Sequence, residues 1–260
     1  MSTTKTTPII RLKDLRKSFG NKEVLTGIDL DIYRGESVVV IGGSGSGKSV
    51  LIKSILGIIQ ANTGIIEVDG ENVSCMSTSK RDLVNRKFGM LFQGGALFDS
   101  LPVWENVAFG LIHGRRMNRT DARKRAIETL GKVGLAPELS DLFPSELSGG
   151  MQKRVGLARA IADEPEIVFF DEPTTGLDPI MADVINDLIV SCVKQQGITA
   201  LSITHDMRSA KKIGDKIAML YEGRLIWVGN SDEVGQAGNP YVDQFVHGRA
   251  DGPIKMQLRC

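Results

Sequence analysis

Eight residues, GGSGSGKS from Gly42 to Ser49, carry the densest chemistry in the chain. They match G-x-x-x-x-G-K-[ST], follow the β-branched run SVVVIGG, and open a stretch with helical spacing. Gly42, Gly43, Gly45 and Gly47 permit successive backbone N–H groups to turn inward around phosphate oxygens, with Ser44, Ser46 and, at the helix start, Val50 completing the cradle. Lys48 is spaced to reach β- and γ-phosphates, and the Ser49 hydroxyl to ligate Mg²⁺. The pattern predicts a bound nucleotide.

IVFFDE ends a buried run in two carboxylates. Asp171, at the strand end, suits the Mg²⁺ shell, and Glu172, one residue further out, suits a general base that polarises an attacking water. His205 follows ITALSIT at the edge where a parallel sheet presents its ligands. It can be structural, or it can donate to a γ-phosphate and sense its presence. Gln93 closes the strand-like GMLFQ, and its amide can touch both Mg²⁺ and water. SELSGGMQKRV sets Ser148, Gly149 and Gly150 ahead of a basic, apolar-striped helix. Bare N–H groups, a hydroxyl and the helix dipole make this a second anion grip, though one without a lysine. Ser148 can also be the helix cap.

These groups need elements to hold them. Ile9 to Arg34 alternates like short strands and turns, and GIIEVDG offers another strand. A helix is expected over about Lys48 to Ile59, with Leu51, Ile55 and Ile58 or Ile59 on one side. Residues from about 96 to 162 read as mostly helical. Strand signals return in EIVFFDE and ITALSITHD, around the helical DPIMADVINDLIVSCVKQQ. Buried β-runs alternating with helices predict a parallel sheet wound with helices, interrupted by an inserted helical block. In the tail, Asn239-Pro240 reads as a cap and first turn, Val242, Phe245 and Val246 as an apolar side, and Gly248 as the stop. This segment reads either as one that docks on a neighbouring subunit or as a frayed terminus.

Composition narrows the class. In 260 residues, 32 Lys plus Arg offset 31 Asp plus Glu, so no basic field argues for nucleic acid. Cys75, Cys192 and Cys260 are scattered and form no CxxC pair, which points to a reduced compartment and to neither a disulfide framework nor a zinc site. MSTTKTTPIIRLKD lacks the apolar core of a signal peptide, and no run of 18 or more apolar residues occurs, so the chain is not expected to span a membrane.

In order along the chain, GGSGSGKS, Gln93, LSGGM, IVFFDE, GLDP and His205 resemble the Walker A, Q-loop, signature, Walker B, D-loop and switch-histidine motifs of ABC (ATP-binding cassette) transporter ATPases. The likeness runs from about Pro8 to Gly229. It implies an α/β fold: a RecA-like P-loop NTPase core, an N-terminal antiparallel β lobe, and an α-helical signature subdomain inserted at about 96–162. Residues 8–229 would be the ATPase domain and 230–260 a C-terminal extension. The ligands implied are ATP and Mg²⁺, the latter held by Ser49, Gln93 and Asp171. Glu172, His205 and Gln93 would be catalytic. Phe19 stands where the family's adenine-stacking aromatic is more usually tyrosine. The family also implies a head-to-tail dimer with a second copy of the chain. Ser148, Gly149 and Gly150 would grip the partner's nucleotide, with Asp178 of the D-loop beside them, so a lone monomer should be a poor ATPase.

A narrower likeness lies in LFQGGALFDSLPVWENVAFGL, in LSGGM with methionine in place of the more usual glutamine, in GLDPIMADVIN and in FVHGRADGPI. These resemble the ATPases of MCE-type lipid transporters of the Mla (maintenance of lipid asymmetry) kind. That resemblance implies phospholipid as cargo, a peripheral place on the cytoplasmic side of the inner membrane, an MlaE-like permease, a STAS-domain (MlaB-like) protein and an MCE-domain (MlaD-like) protein. Three alternatives belong to other classes: a regulatory ATPase of the cell-division type, an importer subunit for another substrate, and a soluble ABC protein acting on DNA, ribosomes or iron–sulfur assembly. No long coiled coil and no second cassette speaks for the last.

Overall fold

The computed structural model describes residues 7–255, which excludes Cys260 and the rest of the last five residues. In chain order the elements begin with β1 (Ile10–Phe19), β2 (Lys22–Ile32), β3 (Ser37–Ile41), α1 (Lys48–Ile55), β4 (Thr63–Val68) and β5 (Glu71–Asn72). Next come α2 (Thr78–Asn85), β6 (Phe88–Leu91), α3 (Val103–Phe109), α4 (Arg119–Lys132), α5 (Gly149–Ile161), β7 (Ile167–Asp171), α6 (Pro179–Gln196) and β8 (Thr199–Thr204). The chain closes with α7 (Met207–Ile213), β9 (Lys216–Tyr221), β10 (Arg224–Asn230) and α8 (Pro240–His247). It forms two compact units. One comprises residues 7–32, 37–74 and 203–255, and the other residues 33–36 and 75–202.

In the first unit, β1 and β2 pair antiparallel with Ile10 opposite Ile32 and Leu12 opposite Leu30. The sequence suggested short strands here. The structure instead has one long hairpin, turned at Gly20 with φ 57° and kinked where Asp14 (φ 43°) interrupts the register. β4 adds to β1 and β5 to β4, both antiparallel, giving the order β2-β1-β4-β5. β3 runs parallel to β9, which is antiparallel to β10. Val38, Val39, Val40 and Ile41 are all fully buried, the pattern of a strand covered on both faces.

Helix α1 is shorter than its sequence suggests. It stops at Ile55 because Gly57 enters the left-handed region (φ 75°) and the N–H groups of Ile58 and Ile59 both turn back onto the Lys53 carbonyl. Ile58 is therefore exposed and lies off the packed side. At the other end of this unit, α8 has the predicted anatomy: the Asn239 side chain accepts from the N–H of Tyr241 and Val242, and Gly248 closes it at φ 61°. The fully buried Val242 faces its own unit, and Tyr241 packs on Tyr221 with ring centroids 4.9 Å apart. The following chain folds back on Gln244, whose amide oxygen accepts from the N–H of Ile254 and whose NH₂ donates to the Ile254 carbonyl.

The second unit holds the inserted helices. α3, α4 and α5 pack together around Val107, Ala108, Leu111, Ala122, Ala126 and Leu130. The turn after α3, Gly110–Gly114, is a π-helical one that the sequence did not announce, and neither did it announce α2. β6 runs parallel to β7, and β7 lies between β6 and β8. Ile167, Val168, Phe169 and Phe170 are wholly buried. Helix α5 lies close on this sheet because small residues permit it. A Cβ on Gly89 of β6 would stand 2.1 Å from the Ala160 carbonyl oxygen, and one on Gly156 would meet Leu91 at 2.8 Å.

Candidate functional site

In the first unit, the loop between β3 and α1 has the backbone its glycines predict. Gly42 (φ 155°) passes so close to the Leu220 carbonyl that a Cβ there would lie 2.3 Å from its oxygen, and a Cβ on Gly47 (φ 108°) would lie 2.9 Å from the Val24 carbonyl oxygen. Gly43 and Gly45 face open space. Lys48 is almost wholly buried, and its ammonium arches back over the loop to donate to the carbonyls of Gly42 (2.7 Å) and Gly43 (3.0 Å). Gly47 gives α1 no side-chain cap. Helix α1 therefore opens without a side-chain acceptor for its first amides, those of Ser49 and Val50 among them. The buried Ser46 hydroxyl has no hydrogen-bond partner among the described residues. A ring of donors with such gaps suits phosphate oxygens. Phe19 ends β1 with its ring half exposed and the Lys17 ammonium 4.9 Å from its centre. His205 is exposed directly after the buried β8, and Asp206 beside it caps α7 through the N–H groups of Arg208 and Ser209.

In the second unit, Asp171 ends β7 and Glu172 follows it, each only 8% exposed. Glu172 adopts φ 49°, a left-handed conformation that costs a side-chain-bearing residue about 1 kcal/mol or more. Thr175 and Lys153 both hold it: Thr175 Oγ1 donates to Glu172 Oε2 at 3.1 Å and its N–H to the Glu172 carbonyl at 3.2 Å, and Lys153 Nζ donates to that carbonyl at 3.4 Å. Burial pulls the Lys153 ammonium below its usual range, while the charges of Asp171 and Glu172 pull it back up.

Ser148 is the cap of α5, accepting from the N–H of Met151 at 3.3 Å, and Ser148 and Gly149 are exposed at the helix start. Gly150 is buried, and a Cβ on it would press on Met181 of α6 at 2.8 Å. Asp178 caps α6, its Oδ1 accepting from the N–H of Ile180 and Met181 at 3.0 Å each. Gln93 is exposed just beyond β6, followed by three residues with positive φ, Gly94, Gly95 and Ala96. Arg159 of α5 holds that turn by donating to the carbonyls of Gly95 (2.6 Å) and Ala96 (2.8 Å).

Sequence reasoning passed over Lys153, Arg159 and Thr175. A signal existed for the first. Lys153, Gly156 and Ala160 recur at helical spacing, and the two small residues mark the face pressed on the sheet.

A protein-family model described as ABC transporter matches residues 25–175, more than half of the chain. The intermembrane phospholipid transport system ATP-binding protein MlaF of Escherichia coli is 36% identical, over 95% of this chain and 91% of its own. The protein TRIGALACTOSYLDIACYLGLYCEROL 3, chloroplastic, of Arabidopsis thaliana is 39% identical over 95% and 76%, and the glutamine transport ATP-binding protein GlnQ of Escherichia coli 40% over 85% and 91%. Among solved structures, the dimeric bacterial ABC transporter cassette MJ0796 superposes with a TM-score of 0.79 at 32% identity, covering 85% of this chain and 98% of that one. CbiO1 of Clostridium perfringens, part of the ABC transporter complex CbiONQ, gives 0.80 at 30% identity over 94% of each. The fold is thus the α/β cassette fold with its RecA-like P-loop core. The chain belongs to the ABC transporter family, as an ATP-binding subunit that hydrolyses ATP.

Proposed function

We propose that this subunit drives phospholipid movement between an inner and an outer membrane, working from the cytoplasmic face of the inner membrane. The observation that carries the reading is the similarity to MlaF along 95% of this chain and 91% of that one. GlnQ is marginally more identical but aligns with less of this chain, 85%. Among the described residues no helix is long and apolar enough to cross a membrane, so a membrane-embedded permease must supply the path. The proposed partners are an MlaE-like permease, with MlaB-like and MlaD-like proteins, and a second copy of the chain. A tag on the full chain should recover such a permease from detergent-solubilised membranes. Proteoliposomes containing the recovered complex should then move phospholipid in an ATP-dependent way. Recovery of an amino-acid permease or of division proteins, with no lipid movement, would sink the proposal.

Within the subunit, the residues from Gly42 to Val50 hold the triphosphate, Lys48 offsets its β/γ charge, and Phe19 stacks on adenine. Glu172 acts as general base, Gln93 orients water, and His205 responds to the γ-phosphate. Ser148, Gly149, Gly150 and Asp178 serve the nucleotide of the second copy. Among the described residues no group of three or more His, Cys, Asp or Glu side chains could hold a metal ion. The donors proposed for Mg²⁺ are instead the Ser49 hydroxyl, the Asp171 carboxylate and the Gln93 amide. All three present hard oxygens, which suits an ion that keeps phosphate and water as its other ligands. When bound, Mg²⁺ would offset charge on the β- and γ-phosphate oxygens. Lys48→Ala should abolish nucleotide binding or turnover, whereas Glu172→Gln should bind and turn over orders of magnitude more slowly. Because Val242 is spent on its own unit, any contact of α8 with a second copy would use Phe245 and Val246. Truncation after Gly238 with unchanged association would remove that contact from the proposal.

A further inference from the structure

Helix α5 begins at the exposed Ser148-Gly149 turn and lies with one face on the sheet of the second unit. Gly156 and Ala160 make that face possible, and Lys153, one turn before Gly156, shares it. A lysine is rarely placed there, since burying its ammonium sacrifices hydration that only charge and hydrogen bonds can replace. Lys153 is nevertheless only 4% exposed. Its Nζ reaches the end of β7, where it donates to the Glu172 carbonyl across 19 positions of sequence. That carbonyl belongs to the one residue of the carboxylate pair whose backbone is left-handed, a conformation that persists only when its surroundings hold it. Thr175 holds Glu172 locally, its Oγ1 donating to Oε2 and its N–H to the carbonyl at 3.2 Å, and Lys153 adds to that same carbonyl the donor that comes from α5.

The geometry points to Lys153 as a positioning residue that couples the start of α5 to the general base: it fixes the backbone from which Glu172 projects. A displacement of α5 moves the ammonium and releases the strained turn at Glu172. Turnover by one unit thereby becomes sensitive to what its own Ser148-Gly149-Gly150 turn contacts. Arg159, two turns along the same helix, ties the turn after Gln93 to the same rigid body.

The inference rests on Glu172 being the base, and its test separates the two. The measurements are ATP turnover and binding of a fluorescent ATP analogue, made on the complex recovered through a tag on the full chain. Lys153→Met, similar in length but without charge or donor, should lower kcat about 10- to 100-fold, the scale of loss that misplacement of a catalytic group by about 1 Å can produce. Analogue affinity should stay unchanged. In a Glu172→Gln background the same substitution should add no further loss, because both act on one step. Since removing a buried charge can unfold a protein, Lys153→Gln, which keeps a donor for the carbonyl, is measured in parallel and should give an intermediate rate. Unmodified turnover in Lys153→Met alongside a slow Glu172→Gln would overturn the role of Lys153 alone. So would losses that multiply in the double variant, or a fall in analogue affinity matching the fall in rate in both Lys153 variants. Glu172→Gln turning over at the unmodified rate would overturn the base assignment and this inference together.

Discussion

Replacing Gly89 with alanine would drive a methyl group into the main chain of α5. The new Cβ would sit 2.1 Å from the Ala160 carbonyl oxygen, 3.1 Å from its carbon and 3.1 Å from Pro165 Cγ. An ordinary C···O approach is about 3.3 Å, so strand and helix must part by about 1.2 Å. Neither partner is a flexible side-chain end: one is the backbone of β6 and the other that of α5. Overpacking of this kind costs about 1–3 kcal/mol, and backbone against backbone belongs at the upper end. Alanine returns up to about 1 kcal/mol by restricting the unfolded chain, leaving a net loss of about 2 kcal/mol. For a chain of this size that lowers Tm by about 4–8 °C. Gly131→Ala supplies the control. Gly131 lies exposed in α4 with nothing within 4 Å of an added Cβ, and alanine there should gain about 0.5–1 kcal/mol and raise Tm by about 1–4 °C. Thermal unfolding followed by circular dichroism reads both. If Gly89→Ala melts at or above the parent while Gly131→Ala rises as expected, the close packing of α5 on β6 is wrong.

Three other outcomes follow from particular contacts. Asp178→Ala removes the acceptor for two N–H groups at the start of α6 and should cost about 1 kcal/mol, seen as a fall in Tm of about 2–4 °C; a fall equally large in Asp178→Asn, which keeps an acceptor, would contradict the capping account. Burial pushes the Cys192 thiol up to about 11, so at pH 8 only about one in a thousand is thiolate, and reactivity should climb as pH rises toward that value. Alkylation at pH 8 followed by peptide mapping should mark the exposed Cys75 well before Cys192, and equal labelling of the two would refute the burial. Arg159→Met frees the carbonyls of Gly95 and Ala96, and amide exchange in residues 92–100 should quicken while that in α4 does not; unchanged exchange would show that Arg159 does not hold this turn.

The phosphate loop is legible in the chain because its conformation is a local matter. A β-branched run, glycines at fixed offsets and a lysine dictate strand, inward-turned amides and helix within a dozen residues. The caps at Asn239, Asp178 and Ser148 are legible for the same reason, since each side chain bonds amides two or three positions away. Even a local reading fails where two short-range signals compete. The apolar spacing runs α1 on to Ile59, but Gly57 ends it.

What tertiary structure alone decides is which residue far along the chain meets which. In sequence Lys153 is one cation among others on a basic helix, and Gly89 one more glycine in a strand. Only packing of α5 on β6 and β7 brings the lysine to the Glu172 carbonyl and the glycine against Ala160. The left-handed backbone of Glu172 is one that glutamate does not choose; the turn bond from the Thr175 N–H holds it locally, and the Lys153 donor on the same carbonyl arrives only with packing. Local propensity fixes a residue's own φ and ψ to within a few preferred wells. The value of a buried charge or a missing Cβ is set by atoms that arrive only when the chain has folded.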